Sequence, residues 1–302
     1  MPPILDELFR RRVLWVTGKG GTGKSTVAAA LGLLAAERGL RTLLIDVEAR
    51  GDAARFLDDD PPRYRPRQAL PNLSHLALQP EEVLDEYLKV SVRMPRVYRV
   101  GPVNRVFDFI ATAAPGVKEA LIAGKVGFED RASDNGRPRW DTIVVDAAPS
   151  GQILSHLRGP RTIQEIVQVG AIRNQTDWVR VILEDPDRTG IVVVSLPEEM
   201  PVQETAELLE QAPNAVPTPV LAIVANRVAP LPDEAASNAI DSATDGAALE
   251  AAKLLADIAR AEQSDLERLH SLGPPVADVP IFGFEHHDLH ATRLVADALR
   301  QQ

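Results

Sequence analysis

The chain has 302 residues, of which 45% are hydrophobic, so it can bury a large core as one α/β domain, with or without an insertion. It contains no cysteine, which excludes disulfides, thiolate zinc sites and iron–sulfur clusters, because all of these need thiolate sulfur. The formal net charge of −10 argues against a nucleic-acid partner, because binding to phosphate backbones requires a basic surface.

The first segment, residues 1–12, reads MPPILDELFRRR and runs directly into an apolar strand. It is not the basic and then apolar sequence of a secretory leader, and no apolar run in the chain reaches membrane-spanning length. We therefore expect a cytoplasmic protein. A short lead-in packed on the sheet is favoured over a membrane-surface helix for this segment.

A phosphate-binding loop is predicted between residues 13–17, an apolar β-branched strand, and residues 26–37, an alanine- and leucine-rich helix. Between them, Gly18 is followed after four residues by Gly23, Lys24 and Ser25, which is the G-x-x-x-x-G-K-[ST] pattern. Glycines let the backbone turn its N–H groups toward phosphate oxygens, and the helix adds its positive end. A glycine-rich turn that binds nothing is the alternative.

Three side chains at the end of this loop have predicted roles toward ATP and Mg²⁺. We expect the Lys24 ammonium on the β- and γ-phosphates, the Ser25 hydroxyl on Mg²⁺, and Thr26 on the α-phosphate. The complete predicted ATP-binding set of the loop is Gly18, Gly20, Gly21, Thr22, Gly23, Lys24, Ser25 and Thr26.

Carboxylates follow the next predicted strand, residues 41–47, at the edge where α/β sheets bind ligands. Glu48 is a candidate for polarising an attacking water. Asp46 and Asp52 either approach Mg²⁺ through water or close the strand and cap the next helix, and the second interpretation is favoured.

The middle of the chain predicts an insertion. Residues 58–72 are proline-rich and charged, as in an exposed loop, and residues 73–80 form a short strand. From about 81 to 130 the pattern is helical and longer than a parallel crossover requires, which indicates a helical subdomain inserted into a single domain spanning 1–302.

Residues 140–152 read WDTIVVDAAPSGQ and begin with another predicted strand, whose carboxyl end carries a candidate site residue. Asp146 closes this strand, and a carboxylate in that position can hold Mg²⁺ through water.

Further on, a buried strand begins at Gly190, another ends in Asn226-Arg227, and residues 245–271 predict a long helix. Loop or capping roles are favoured over metal binding for three histidines near the closing helix: His286, His287 and His290.

Several motifs together resemble the ArsA and Get3 family of dimeric ATPases, in particular its single-domain bacterial members. The loop KGGTGKST has Lys19 directly after its first glycine, as in the wider class that includes ParA, MinD and the nitrogenase iron protein. IDVEARGD, DAAPSGQ, LPEEMPVQET and ANRV follow in the order of this family. The resemblance implies a doubly wound, mostly parallel sheet of the P-loop NTPase type, with a helical subdomain inserted before the second switch.

The resemblance also implies roles for individual residues. Lys19 would reach the nucleotide of a partner subunit, and Glu48 aligns with the aspartate that orients water. Asn226 and Arg227 would face the purine base, although strand-end polar residues in a turn are the alternative. The DAAPSGQ segment departs from the family's second switch, D-T-A-P-T-G-H, at Ala147 and Gln152, positions that bear on coupling to hydrolysis.

Three functions are compatible with these features. The leading hypothesis is an ATPase that dimerises with ATP and Mg²⁺ and acts on a protein client or membrane-associated partner. The second is a weakly hydrolysing subunit that forms a heterodimer with a related ATPase. The third is a ParA- or MinD-like positioning ATPase, in which a peripheral membrane contact would involve a basic cluster in the insertion: Arg93, Arg96, Arg99 and Arg105.

Overall fold

A computed structural model describes residues 4–48, 52–60, 64–79, 82–83, 86, 117–166, 171–242, 246–283 and 287–302. The predicted helical insertion of residues 81–130 lies largely outside this part of the chain. The proposed arginine cluster and His286 also lie outside the described residues. The end of the insertion is described, and it forms one helix, Val117–Arg131.

A sheet of eight strands occupies the centre of the molecule. Its strands are β1 Val13–Gly18, β2 Thr42–Asp46, β3 Arg67–Leu70, β4 Leu73–Ala77, β7 Thr142–Asp146, β8 Thr189–Ser195, β9 Val220–Val228 and β10 Val276–Pro280. Their order across the sheet is β10-β9-β8-β1-β7-β2-β4-β3. The short strands β5 Ser133–Asp134 and β6 Arg137–Pro138 form a separate hairpin.

Helices connect the strands and cover both faces of the sheet. They are α1 Ile4–Leu8, α2 Lys24–Glu37, α3 Asp52–Phe56, α4 Val117–Arg131, α5 Ser150–Ile166, α6 Ala171–Glu184, α7 Glu199–Ala215, α8 Glu234–Ser242, α9 Ala247–His270 and α10 Leu289–Arg300.

Every pairing in the sheet is parallel except that of β3 with β4. Parallel strands bury both faces, which explains why β1, β2, β7 and β8 are apolar and fully buried along their length. This architecture confirms the predicted α/β fold with a mostly parallel sheet. The strand β1 lies at its centre, between β7 and β8, so the loop after it lies at the middle of the carboxyl edge.

Alternating side chains of β1 belong to two separate hydrophobic layers. Leu14 and Val16 pack in the layer that contains α2 and α10, whereas Val13 and Trp15 pack in the layer that contains α4 and α5. Because α2 lies between the sheet and α10, nearly all of its side chains are buried and it has no polar face. The core therefore fixes the start of α2, where the phosphate loop ends.

The prediction of an exposed loop over residues 58–72 is wrong for Arg67–Leu70, which forms the edge strand β3. Asn72 has a φ of 61°, and this left-handed residue lets the chain reverse into the antiparallel partner β4. The edge position accounts for the polar composition of β3, whose residues Arg67 and Gln68 are exposed. Among the described residues, no helix combines the length and apolar character needed to span a membrane.

Candidate active site

The loop that joins β1 to α2 requires glycine at two positions. Gly18 has a φ of 151°, and a Cβ on it would lie 2.0 Å from the carbonyl oxygen of Val194 on β8. Gly23 has a φ of 91°, and a Cβ there would lie 2.3 Å from Nδ2 of Asn226. Only glycine lets the loop pass this close to β8 and β9. The first N–H groups of an α-helix have no partners within the helix, and α2 begins directly after Gly23, at Lys24.

A cavity of about 370 Å³ opens beside this loop at the carboxyl edge of the sheet. Its lining includes carboxylates and cations together, in addition to loop glycines and hydroxyls. The lining residues are Gly20, Gly21, Gly23, Lys24, Ser25, Thr26, Asp46, Glu48, Arg55, Phe56, Asp146, Ala147, Pro149, Arg227 and His287. Such a mixture suits a polyphosphate with its divalent cation, because amides and ammonium groups bind phosphate and carboxylates bind the metal.

Two carboxylates are brought together by strand register. Asp46 ends β2 and pairs in the sheet with Asp146, which ends β7. Both are almost fully buried, at 2% and 7% exposure, and both line the cavity with the Ser25 hydroxyl. Buried carboxylate and hydroxyl oxygens are the ligands that Mg²⁺ prefers, so these residues fit the predicted metal. Asp46 also accepts a hydrogen bond from the backbone N–H of Glu48 at 3.0 Å, so it closes the strand as well as lining the cavity.

Comparison with known proteins identifies the family. The family model described as "Anion-transporting ATPase" matches residues 11–179, which include the phosphate loop, both strand-end carboxylates and the segment after β7. The chain belongs to the anion-transporting ATPase family. This confirms the predicted relationship to the ArsA and Get3 ATPases.

Individual members of the family show how far the similarity extends. The chain is 34% identical over 229 residues to ATPase BagA of Mycobacterium tuberculosis, in a match that covers 72% of this chain and 66% of that protein. It therefore spans slightly less than two thirds of the length of BagA. It is 26% identical over 219 residues to the arsenical pump-driving ATPase of Acidiphilium multivorum, covering 66% of this chain and 36% of that one. Identity to ATPase GET3 of Meyerozyma guilliermondii is 23% over 251 residues, covering 70% and 72% respectively.

The loop of this family member is held by its own side chains. Thr22 is buried, and its Oγ1 donates to the carbonyl oxygen of Lys19 at 2.9 Å. The Lys24 ammonium donates to the same carbonyl at 3.3 Å. The backbone N–H of Thr22 donates to the same carbonyl at 3.4 Å, so both the side chain and the N–H of Thr22 close the loop. The predicted role of Thr22 in ATP binding stays a prediction.

The lysine after the first glycine has a defined place. The Lys19 Nζ lies 2.7 Å from Oε1 of Glu204, a residue of α7 in the same chain. Oε2 of Glu204 accepts a hydrogen bond of 3.0 Å from Ser150, the first residue of α5. Lys19 thus contacts a carboxylate of its own subunit.

The two residues predicted to face the base have different surroundings. Asn226 is 6% exposed, and its Nδ2 donates to the carbonyl oxygen of Thr22 at 2.8 Å, so it supports the phosphate loop from β9. Arg227 lines the cavity and has a φ of 58°, the left-handed conformation. The sequence placed both at a strand end, and the structure adds the contact of Asn226 with the loop.

The segment after β7 is anchored to β1. Ala147 donates its N–H to the carbonyl of Val16 at 2.9 Å, and the Thr17 hydroxyl donates to the carbonyl of Ala148 at 2.8 Å. Gln152 is exposed in the first turn of α5.

Arg55, Phe56 and His287 line the cavity, and sequence reasoning did not predict them as site residues. The Arg55 guanidinium lies 5.3 Å from the centre of the Phe56 ring, and the His287 ring meets that ring edge to face at 5.9 Å. Arg55 and Phe56 follow the IDVEARGD motif after two alanines, which is a local clue. His287 was expected in a capping or loop role. Its position beside Phe56 follows from the fold and not from the local sequence.

Proposed function

We propose that this chain is a Mg²⁺-dependent ATPase whose nucleotide state controls dimerisation and thereby its engagement of a protein client or membrane-associated partner. The observation that carries this proposal is the convergence of Lys24, Ser25 and Asp146 on one cavity beside a loop that only glycine permits. Family membership supports ATP as the nucleotide. The dimeric mechanism rests on Lys19 and on the resemblance to ArsA and Get3.

In this mechanism the loop binds the phosphates. Backbone N–H groups of the loop and of the first turn of α2 donate to phosphate oxygens, and Lys24 places its charge on the β- and γ-phosphates. Ser25 and Asp146 would hold the metal, Asp146 through water. When bound, Mg²⁺ supplies positive charge that offsets the negative charge developing on the phosphates.

Hydrolysis needs a water molecule oriented toward the γ-phosphate. Glu48 lines the cavity and has a carboxylate that can accept a proton or a hydrogen bond from this water. Asp46 lies in the same wall and offers the same chemistry. Lys19 of a partner subunit would then stabilise the transferring phosphoryl group, in the manner of a cation supplied in trans.

Calorimetry with ATP and Mg²⁺ tests nucleotide binding. We expect Lys24→Ala to lose binding, while the control Lys253→Ala, an exposed lysine of α9, keeps the affinity of the unsubstituted protein. Absence of heat with the unsubstituted protein would refute the proposal.

Native mass measurement tests dimerisation. We expect a monomer mass with ADP and twice that mass with a slowly hydrolysed ATP analogue. Lys19→Ala should retain ATP binding and lose dimer-dependent turnover. Equal turnover of Lys19→Ala would remove the dimer part of the mechanism and leave ATP binding intact.

A second candidate is a nucleotide-binding subunit with little hydrolysis that pairs with a related ATPase. It is motivated by Glu48, Ala147 and Gln152, where this chain departs from the pattern of the resembled family. Turnover of the isolated protein at ordinary ATPase rates would rule it out. A heterodimer mass after capture from the source lysate would favour it.

A further inference from the structure

We infer that Glu204 is a positioning residue that holds Lys19 within its own subunit and links it to the segment after β7, so that Lys19 is released for a partner only when this latch opens. The inference deepens the proposed function and rests on it for the role of Lys19 in a second subunit. The latch itself consists of Lys19, Glu204 and Ser150.

The contacts define a bridge with a carboxylate at its centre. One oxygen of Glu204 lies 2.7 Å from the Lys19 ammonium, and the other accepts from the Ser150 hydroxyl at 3.0 Å. Lys19 belongs to the phosphate loop, Ser150 to the segment after β7 and Glu204 to α7. Glu204 therefore joins two nucleotide-facing segments through side chains alone.

The backbone of α7 near Glu204 is fixed, whereas the carboxylate stays accessible. Val202 and Thr205 on the same helix are buried at 0% and 3% exposure, and the Thr205 hydroxyl donates to the carbonyl of Pro201 at 2.8 Å. The side chains of Lys19 and Glu204 retain 29% and 34% exposure. A partly hydrated ion pair of this kind is weak enough to exchange for another partner.

The two places available to Lys19 exclude one another. An ammonium paired with Glu204 of its own chain cannot also lie on phosphates bound in a neighbouring subunit. Ser150 makes this choice sensitive to the segment after β7, because a shift of α5 away from α7 removes a hydrogen bond from the Glu204 carboxylate. The geometry thus couples the position of this segment to the availability of Lys19.

Trace acetylation of lysines, read by mass spectrometry on the nucleotide-free protein, tests the latch directly. Removing the ion pair should raise the accessibility of the Lys19 amine to the reagent, because Glu204 no longer holds it. We expect Glu204→Gln to increase the labelling rate of Lys19 about two- to fivefold relative to Lys253 in the same sample, the range set by partly exposed ion pairs. The matched control is Glu207→Gln, an exposed glutamate one turn further along α7, which should leave that ratio unchanged.

Ser150→Ala provides the second variant. It keeps the carboxylate but removes one of its hydrogen bonds, so a smaller increase in Lys19 labelling is expected. An unchanged ratio in a folded Glu204→Gln protein would overturn the latch. If Glu204→Gln fails to fold, an unchanged ratio in Ser150→Ala would do the same.

Turnover measured against protein concentration tests the consequence. A competing latch predicts that Glu204→Gln reaches half-maximal turnover at a protein concentration about two- to fivefold lower, with unchanged ATP affinity by calorimetry. A higher concentration would overturn the competition. Failure of the proposed function is distinguishable, because it would appear as absent ATP binding while the labelling of the nucleotide-free protein still reports the ion pair.

Discussion

Asn226 and Gly23 are 203 positions apart in the sequence, yet the amide of Asn226 occupies the space that a side chain on Gly23 would need. The Asn226 Nδ2 lies 2.3 Å from the site of a Cβ on Gly23 and donates to the neighbouring Thr22 carbonyl at 2.8 Å. The shape of the phosphate loop therefore depends on the end of β9 as well as on its own glycines.

Gly23→Ala should destabilise the protein and weaken ATP binding. The new Cβ adds a left-handed backbone cost of about 1–2 kcal/mol and displaces Asn226 from its bond to Thr22, which costs about 1 kcal/mol more. We expect the free energy of unfolding to fall by about 2–3 kcal/mol and ATP affinity to fall more than tenfold, measured by denaturant unfolding and calorimetry. Gly20→Ala is the stability control, because nothing lies within 4 Å of its Cβ and its φ is not positive. Equal stability of the two variants would contradict the contact.

Glu48→Gln should separate hydrolysis from binding. It removes the charge that polarises water and keeps the length of the side chain, so we expect kcat to fall about 100-fold with unchanged ATP affinity. Asp46→Asn is the comparison, because the asparagine carbonyl can still accept from the Glu48 N–H. If Glu48→Gln keeps its turnover and Asp46→Asn loses it, then Asp46 orients the water instead.

Gly159→Ala should destabilise the packing of α5 on α4. A Cβ at this position would lie 2.6 Å from the backbone nitrogen of Ala120, which cannot move without displacing its helix. We expect the free energy of unfolding to fall by about 2–3 kcal/mol in denaturant titrations. Gly124→Ala, inside α4 with no atom within 4 Å of its Cβ, should instead increase stability by up to about 1 kcal/mol. Loss of stability in both variants would contradict this explanation.

Glu262 on α9 should make stability depend on pH. Burial raises the pKa of its carboxyl, and the charges of Glu198 and Asp265 raise this pKa further, against a hydrogen bond from the Ala229 backbone. The folded state thus favours the protonated form, and its contribution to stability is present below the unfolded pKa of 4.5 and is lost as pH rises through the folded pKa.

Glu262→Gln should therefore raise Tm at pH 7 by about 1–2 °C, with the gain disappearing near pH 4. Thermal scans across this range measure the effect. The exposed Glu250→Gln on the same helix is the control. A gain at pH 7 that persists at pH 4 would contradict a titration origin.

Local patterns predicted the centre of the fold because the strand, turn and helix there are formed by residues close together in the sequence. The strand, glycine turn and helix around Lys24 follow from hydrophobic pattern and glycine spacing, and the α/β class is confirmed. Strand-end carboxylates such as Asp146 were placed at the correct edge of the sheet by the same reasoning.

Features that depend on distant residues were not predictable. The edge strand β3 is polar because one side of it faces solvent, so its sequence resembles a loop. His287 reaches the cavity only because α10 packs on α2, and Glu204 meets Lys19 only because α7 lies beside α5. The functional roles assigned to all predicted site residues, including those of Lys19, Lys24 and Asp146, stay predictions.

The contact of α10 with the segment after β2 has one further consequence. Thr292 donates to the carbonyl of Phe56 at 2.8 Å, the backbone N–H of Leu289 donates to Asp58 at 3.3 Å, and His287 meets the Phe56 ring. Truncation before residue 287 would therefore remove the support behind Phe56 and open that wall of the cavity to solvent. Deletions that reach His287 would therefore disturb the cavity, although His287 lies more than 200 positions from the phosphate loop.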